Sequence, residues 1–245
     1  MAKMGFFLGK LPKKQDSRNL LALSYLLPGV KVPKSFDYEK QVKGPYPTLD
    51  QRDVPACTVF SSASSQMRFE KKEQGKIIVP QFVDLVTFYN QFAQPGGGAF
   101  ILDVLKAWRK DGLPFEQSKY CIDAFAEVAI EPDIIKQALY TFGLCEIGVQ
   151  VTQHMMDVPD GGKIDLKGDQ TILGGHAMCV DAYSSVGLRV VDTWAGYTKR
   201  RTMTWAYVRK YMDECYSLVD ARDVKANNLA LVGKLMADVG EVTRR

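Results

Sequence analysis

The stretch Asp-Gln-Arg-Asp-Val-Pro-Ala-Cys-Thr-Val-Phe at residues 50–60 decides the fold, because it places a cysteine between a proline-containing loop and an apolar helical pattern. The apolar residues after Cys57 recur with a period near 3.6, which predicts a helix that Gly75 ends. Cys57 then lies in the first helical turn. Unpaired backbone N–H groups and the helix dipole favour a thiolate there.

Two later short segments, which together with residues 50–60 are called the three islands, carry side chains that could act together with the Cys57 thiol. Residues 174–177 read Gly-Gly-His-Ala, and residues 191–194 read Val-Asp-Thr-Trp. In chain order the three islands supply a side-chain amide (Gln51), a thiol, an imidazole (His176) and a carboxylate (Asp192). The chain has only 2 histidines in 245 residues, so only one other residue could provide an imidazole. The set is that of a nucleophilic acyl-transfer site.

The periodicity of the chain changes near its middle. Helical patterns predict further helices at about residues 100–110 and 132–142, while strict alternation predicts strands near 145–152, 176–183 and 188–192. The glycine-rich residues 160–170 are expected to form a loop. A mainly helical first half and a mainly strand second half predict an α+β fold with two unlike lobes.

The same patterns predict the domain organisation. Residues 1–35 are expected to form an N-terminal extension, and residues 36–220 the main domain. Within that domain, residues 36–143 are mainly helical and residues 144–220 are mainly strand. Residues 221–245 form a C-terminal tail whose apolar positions between 224 and 239 predict an amphipathic helix.

Composition excludes several classes of protein. The net charge of +4 is too weak to indicate a nucleic-acid partner. No apolar run approaches the roughly 18 residues of a membrane span, and no convincing signal peptide is present. The 5 cysteines are widely spaced without a CxxC pair, which argues against a zinc site and against a disulfide framework. The spacing is still compatible with a single disulfide bridge.

In these features the chain resembles the papain-like cysteine peptidases, more closely their bacterial and viral branch. Gln51 lies six residues before Cys57, as a glutamine does in that family, and residues 57–60 fit a Cys-Thr-x-Phe pattern. Gly-His-Ala at residues 175–177 and Asp-Thr-Trp-Ala at residues 192–195 match the family's Gly-His-Ala and Asn-Ser-Trp-Gly segments. The resemblance covers about residues 35–220.

The resemblance implies a papain-like fold, with a helical left lobe, a β-barrel-like right lobe and the active site in the cleft between them. It implies that Cys57 is the nucleophile and that His176 acts as general base and then acid. Asp192 orients the imidazole, and Gln51 donates to the oxyanion together with the backbone N–H of the nucleophile. Residues expected to line the substrate cleft are Gly97, Gly98, Gly175 and Trp194. The expected substrate is a peptide or protein, with no cofactor and no metal.

Three positions depart from the family pattern. Thr58 stands where a tryptophan is usual, Ala56 where glycine or serine is usual, and Asp192 where asparagine is usual. An aspartate orients imidazole as an asparagine does, but it favours the imidazolium form more strongly.

Two further features have a structural interpretation. His154 lacks the context of His176 and is expected to be a structural or surface residue. The basic run at residues 199–201 is expected to mark a solvated strand edge or turn.

The departures also leave alternatives open. One is a papain-fold structural or binding protein of a larger assembly, including a viral particle, whose two extensions dock partners. Another is that these extensions act as a short prosegment, and a third is acyl transfer to an amine instead of water. The expected location is the cytoplasm or a larger particle.

Overall fold

The computed structural model describes residues 7–26, 29–222 and 229–242. The α-helices are α1 Tyr38–Gln41, α2 Cys57–Gln74, α3 Phe82–Tyr89, α4 Ile101–Asp111, α5 Pro132–Phe142, α6 Gln153–Asp157, α7 Trp205–Tyr211 and α8 Leu229–Val242. The strands are β1 Phe36–Asp37, β2 Leu113–Phe115, β3 Ser118–Tyr120, β4 Ala124–Glu127, β5 Leu144–Thr152, β6 Lys163–Ile164, β7 Ile172–Tyr183, β8 Gly187–Val191, β9 Arg201–Thr204 and β10 Met212–Val219.

One large sheet forms the second half of the molecule. Its strand order is β4-β10-β5-β7-β8-β9-β6, and β1 also pairs with β7. Neighbouring strands are antiparallel, except that β6 and β9 run parallel. The strands β2 and β3 form a separate hairpin. The α+β class that the sequence predicts is therefore confirmed.

The helix that carries the cysteine begins and ends where the sequence predicts. It runs from Cys57 to Gln74, and Gly75 follows it with φ 71°, a left-handed conformation that glycine adopts without a Cβ penalty. The Gly75 N–H donates to the carbonyl oxygen of Lys71 at 3.0 Å. The predicted helix at residues 132–142 is likewise present, with Pro132 in its first turn and Gly143 after its end.

The core lies between the helices and the central strands. Helix α2 packs against β7, and most of its residues are buried, including polar ones such as Ser61, Ser62 and Arg68. Strand β5 is buried along nearly its whole length and pairs with both β7 and β10. The helical and strand halves thus meet where the start of α2 faces β7.

The structure contains several elements that the sequence prediction did not include. Residues 160–170 are not all loop, because Lys163–Ile164 pairs with β9. Helix α7 and strand β10 have no counterpart in the prediction. Helix α8 agrees with an amphipathic tail, since Leu235 is buried while Met236 is exposed, but residues 224–228 lie outside the described part.

Among the helices that the structure describes, none combines the length and the apolar character needed to cross a bilayer. The boundaries of the N-terminal extension, the main domain and the tail stay predictions.

Candidate functional site

Cys57 is the first residue of α2 and is fully buried. Ala56 precedes the helix with φ −107°, and its carbonyl oxygen accepts from the Phe60 N–H at 3.1 Å. The first N–H groups of a helix have no intrahelical acceptor, so the Cys57 N–H is free to donate to a group lying in front of the helix. The thiol therefore sits where positive potential from the helix start is greatest.

His176 is held rigidly on β7, opposite Val149 of β5. It is fully buried, and its ring stacks on Trp194 with 3.9 Å between ring centroids and 18° between planes. This stack fixes the plane of the imidazole and shields it from solvent. Trp194 is thus placed beside the candidate base, and its role in lining the substrate cleft stays a prediction.

The charges around His176 favour its protonated form. Burial alone would lower the pKa of His176, but interactions with Asp192 and with Cys57 outweigh burial and raise the pKa above its usual value. The influence of Cys57 places the thiol and the imidazole in one electrostatic unit. A thiolate and an imidazolium stabilise each other in such a pair.

Asp192 directly follows β8, and the guanidinium of Arg201 binds both oxygens of its carboxylate. Arg201 donates from Nε to Oδ2 at 2.8 Å and from Nη2 to Oδ1 at 2.9 Å. Burial would raise the pKa of Asp192, but the Arg201 charge and the nearby His176 lower it to about 2. His176 Nε2 lies 3.7 Å from Asp192 Oδ1, beyond hydrogen-bond distance, so the carboxylate acts on the imidazole through its charge.

Arg201 is a member of the site that the sequence prediction missed. The basic run at residues 199–201 was expected to be solvated, and for Arg201 this is wrong, because its side chain is fully buried. It also donates to the carbonyl oxygen of Met155 at 2.7 Å. Alternation was the available signal, since Arg201 and Met203 share the buried face of β9 while the residues between and after them are half-buried.

Gln51 has its side-chain amide fixed in one orientation. Thr193 donates from Oγ1 to Gln51 Oε1 at 2.6 Å, and the Gln51 N–H donates to the Thr193 carbonyl oxygen at 2.9 Å. Because Oε1 is an acceptor, the amide nitrogen is directed the other way. Nε2 donates to the carbonyl oxygens of Val54 and Phe7, each at 2.9 Å.

The chain itself occupies the cleft, through residues 7–11, here called the N-terminal segment. The Ala99 N–H donates to the Gly9 carbonyl oxygen at 2.8 Å, and the Leu11 N–H donates to the Ala99 carbonyl oxygen at 3.1 Å. The Lys10 N–H donates to the carbonyl oxygen of Gly175 at 3.2 Å. The segment therefore binds as an extended peptide beside His176, and its Phe7 carbonyl meets the Gln51 amide.

The predicted cleft glycines contact this segment or its surroundings. A Cβ on Gly175 would lie 2.3 Å from the Lys10 carbonyl oxygen, and one on Gly98 would lie 2.8 Å from the Gly9 carbonyl oxygen. Gly97 lies in the same turn, where a Cβ would be 3.0 Å from Cγ of Pro55. Glycine at positions 98 and 175 is what lets a peptide backbone approach so closely.

The second histidine lies apart from this group. His154 belongs to α6, and its Nε2 is 3.1 Å from Asp165 Oδ1. Within the described residues, no three histidine, cysteine or acidic side chains are placed to hold a metal ion. All five cysteines are free, and Cys121 is the exposed one.

Comparison with known proteins identifies the fold. No protein-family model and no curated protein sequence matches the chain. Solved structures do match, among them xylellain, a cysteine protease from Xylella fastidiosa. It has 19% sequence identity and a TM-score of 0.70, and the match covers 87% of this chain and 96% of that one.

Two further structures agree. ProCathepsin B S9 from Trypanosoma congolense is 14% identical with a TM-score of 0.67, covering 87% of this chain and 86% of that one. The Carica candamarcensis cysteine protease CMS1MS2, solved with E-64, is 15% identical with a TM-score of 0.61, covering 77% and 99%. The chain therefore has the two-lobe fold of the papain-like cysteine proteases.

Proposed function

We propose that the protein is a cysteine endopeptidase, and that Cys57, His176, Asp192 and Gln51 are its catalytic residues. The observation that carries the proposal is that Cys57, the first residue of α2, helps to raise the pKa of His176 on β7, within a fold shared with cysteine proteases. The Cys-Thr-x-Phe pattern at residues 57–60 supports a place in the bacterial and viral branch of that group.

In the proposed mechanism the Cys57 thiolate attacks the carbonyl carbon of the scissile peptide bond. The oxygen that becomes negative accepts from Gln51 Nε2 and from the Cys57 N–H. As the C–N bond breaks, His176 gives its proton to the leaving amine. Water then attacks the thioester, His176 takes the water proton, and the thiolate leaves. The contact between Gln51 Nε2 and the Phe7 carbonyl supports the donor role.

Asp192 keeps its negative charge because Arg201 binds both of its oxygens. That charge favours the imidazolium form of His176, which in turn favours the thiolate. Arg201 acts through Asp192, so it is a positioning residue. Trp194, Gly97, Gly98 and Gly175 would line the path of the substrate backbone.

The test compares the wild-type chain with Cys57→Ala on a random peptide library, with products identified by mass spectrometry. The wild type is expected to cut peptides and Cys57→Ala is expected to cut none, while its circular dichroism stays native. Cys121→Ala is the matched control, because it removes an exposed cysteine outside the site. Hydrolysis that survives in Cys57→Ala would overturn the assignment of the nucleophile. Product analysis also separates hydrolysis from transfer to an amine.

A second candidate function has one observation in its favour. Cys57 and His176 are both fully buried, and the N-terminal segment fills the cleft next to them. A protein that never opens this cleft would be a structural or binding component of a larger assembly, docking partners through its extensions. Iodoacetamide distinguishes the two functions, because only an opening cleft allows Cys57 to be alkylated.

A further inference from the structure

Lys10 is buried although it belongs to a segment that begins with an exposed residue, Phe7. Its side chain is only 1% exposed, whereas lysine is almost never fully buried unless it is paired. The burial is therefore specific: something under the N-terminal segment accommodates a long cationic side chain.

The pocket that receives Lys10 is built from two strands. Gly148 of β5 leaves the space, because a Cβ there would lie 2.4 Å from Cε of Lys10. Strand β10 provides the end of the pocket: Lys10 Nζ lies 2.6 Å from Asp213 Oδ1 and Oδ2, and 3.0 Å from Glu214 Oε1. Two carboxyl groups thus face one ammonium at the end of a narrow space.

The pocket carries an excess of acid. Glu214 is 1% exposed in its side chain, and Asp213 is 29% exposed. Glu146, on the same face of β5 as Gly148, is a buried carboxyl that accepts from Ser61 and Ser62, but burial raises its pKa to about 8, so it is mostly uncharged at neutral pH and leaves Asp213 and Glu214 as the charged acids. The cation of Lys10 is therefore the group that balances the acids here, and an uncharged occupant would leave buried carboxyl groups unpaired.

The backbone of Lys10 is held by contacts that any extended peptide offers. Its N–H donates to Gly175, directly before His176, and the residues on either side of it bond to Ala99. Main-chain hydrogen bonds do not distinguish one peptide sequence from another. The side-chain pocket does, so the pocket determines which residue is accepted beside the catalytic pair.

We propose that the pocket formed by Gly148, Asp213 and Glu214 is a specificity pocket that selects a lysine or arginine side chain of the peptide substrate. Lys10 occupies it in this structure. The inference rests on the proposed peptidase function, since it names the substrate class of that same site. Arginine fits as well as lysine, because its planar guanidinium pairs with carboxylates through two hydrogen bonds.

The test uses pairs of cysteine-reactive peptidyl vinyl sulfones that differ only in lysine against norleucine, a side chain without the charge. Three pairs place this residue first, second or third from the reactive carbon. The full chain with Lys10→Ala is treated with each probe, and the rate of Cys57 modification is followed by mass spectrometry. Lys14→Ala is the matched control, because Lys14 pairs with Asp103 outside the pocket.

We expect the lysine probe to react at least about tenfold faster than its norleucine partner at one of the three positions in Lys10→Ala. Glu214→Gln, added to this chain, should lower the ratio, and Asp213→Asn together with Glu214→Gln should bring it close to one. In Lys14→Ala the ratio should equal that of the wild type. Should Lys10→Ala fail to fold, the wild type and Glu214→Gln are compared with the same probes, and the ratio must fall in Glu214→Gln.

Equal rates for both probes at all three positions would overturn the inference. So would a Lys10→Ala chain that rejects every peptidyl probe while iodoacetamide alkylates Cys57. A Cys57 that iodoacetamide leaves unmodified, while exposed Cys121 reacts, would instead refute the proposed peptidase function, and the inference would fall with it.

Discussion

Replacing Asp192 by the asparagine that is usual in papain-like peptidases should weaken this protein. In Asp192→Asn the side chain keeps its shape but loses the charge that Arg201 binds at 2.8 and 2.9 Å. Arg201 is fully buried, so its guanidinium would be left in the interior without a counter-charge. The substitution that restores the common residue therefore removes half of a buried ion pair.

The magnitude follows from the burial of the pair. Breaking a buried ion pair by removing one partner costs about 3–5 kcal/mol of unfolding free energy. For a chain of this size that lowers the melting temperature by about 6–20 °C. The pKa gives a second, smaller bound: its fall from 3.8 to about 2 corresponds to about 2 kcal/mol of stability from ionisation alone. Because the folded pKa is depressed, this part is present above pH 3.8 and is lost as the pH falls towards 2.

The assay is guanidinium unfolding at pH 7, followed by circular dichroism and tryptophan fluorescence. Adding Arg201→Met to Asp192→Asn should recover at least half of the lost stability, because the uncompensated cation is gone. Asp133→Asn is the matched control, with a side chain that is 94% exposed, and it should change stability by less than about 0.5 kcal/mol. The reasoning is refuted if Asp192→Asn stays within about 1 kcal/mol of the wild type, or if the double variant is no more stable than the single one.

Three further predictions concern the cleft and its support. Gln51→Leu should lower kcat on a cleaved peptide about 10²–10³-fold, as the loss of one oxyanion donor does. Thr193→Val, which removes the hydroxyl that orients the Gln51 amide, should lower kcat by less. An unchanged kcat in Gln51→Leu would contradict the donor role. Burial raises the pKa of Glu146 to about 8, so unfolding free energy should fall as the pH rises from 4.5 to about 8. In Glu146→Gln the unfolding free energy, measured by denaturant titration, should change less with pH over this range. An equal pH dependence in the wild type and in Glu146→Gln would refute this prediction. Gly9→Ala should speed iodoacetamide alkylation of the active-site thiol at least about tenfold, because the added Cβ would lie 1.8 Å from a backbone carbonyl oxygen and lift the segment. Gly233→Ala, which meets nothing within 4 Å, should leave the alkylation rate unchanged, and a rate in Gly9→Ala equal to that control would show that the segment does not restrict access.

The parts of the fold that sequence reasoning predicted are those whose start and end are marked by nearby residues. Helix α5 runs from Pro132 to Phe142 as predicted, because a proline that suits the first turn and a glycine that ends the helix flank an apolar stripe. The alternation along β5 likewise needs only neighbouring residues. Strand β10 was missed because Met212 follows the last residue of α7 directly, with no glycine or proline between them.

In the candidate site, too, residues within a local motif were identified from the sequence, whereas residues placed by distant contacts were not. Each of the three islands carries its own motif, and the structure places Gln51 against Thr193 and His176 near Asp192. Their catalytic roles stay predictions. Arg201 was missed because a run of cations is usually solvated, and its burial depends on a carboxylate across the β8–β9 hairpin. A short prosegment was one of the open alternatives, but the contacts of residues 7–11 with Ala99 and Gly175 were not predicted, because nothing local in these residues indicates them.

The attachment of residues 7–11 to the cleft that they fill has a kinetic consequence. A ligand joined to its site by the chain is present at an effective concentration of about millimolar, whatever the protein concentration. A free peptide of equal intrinsic affinity, present at micromolar concentration, would compete at a disadvantage of about a thousandfold. A break in the chain after Leu11 would turn this unimolecular occupancy into a bimolecular one, which simple dilution could reverse.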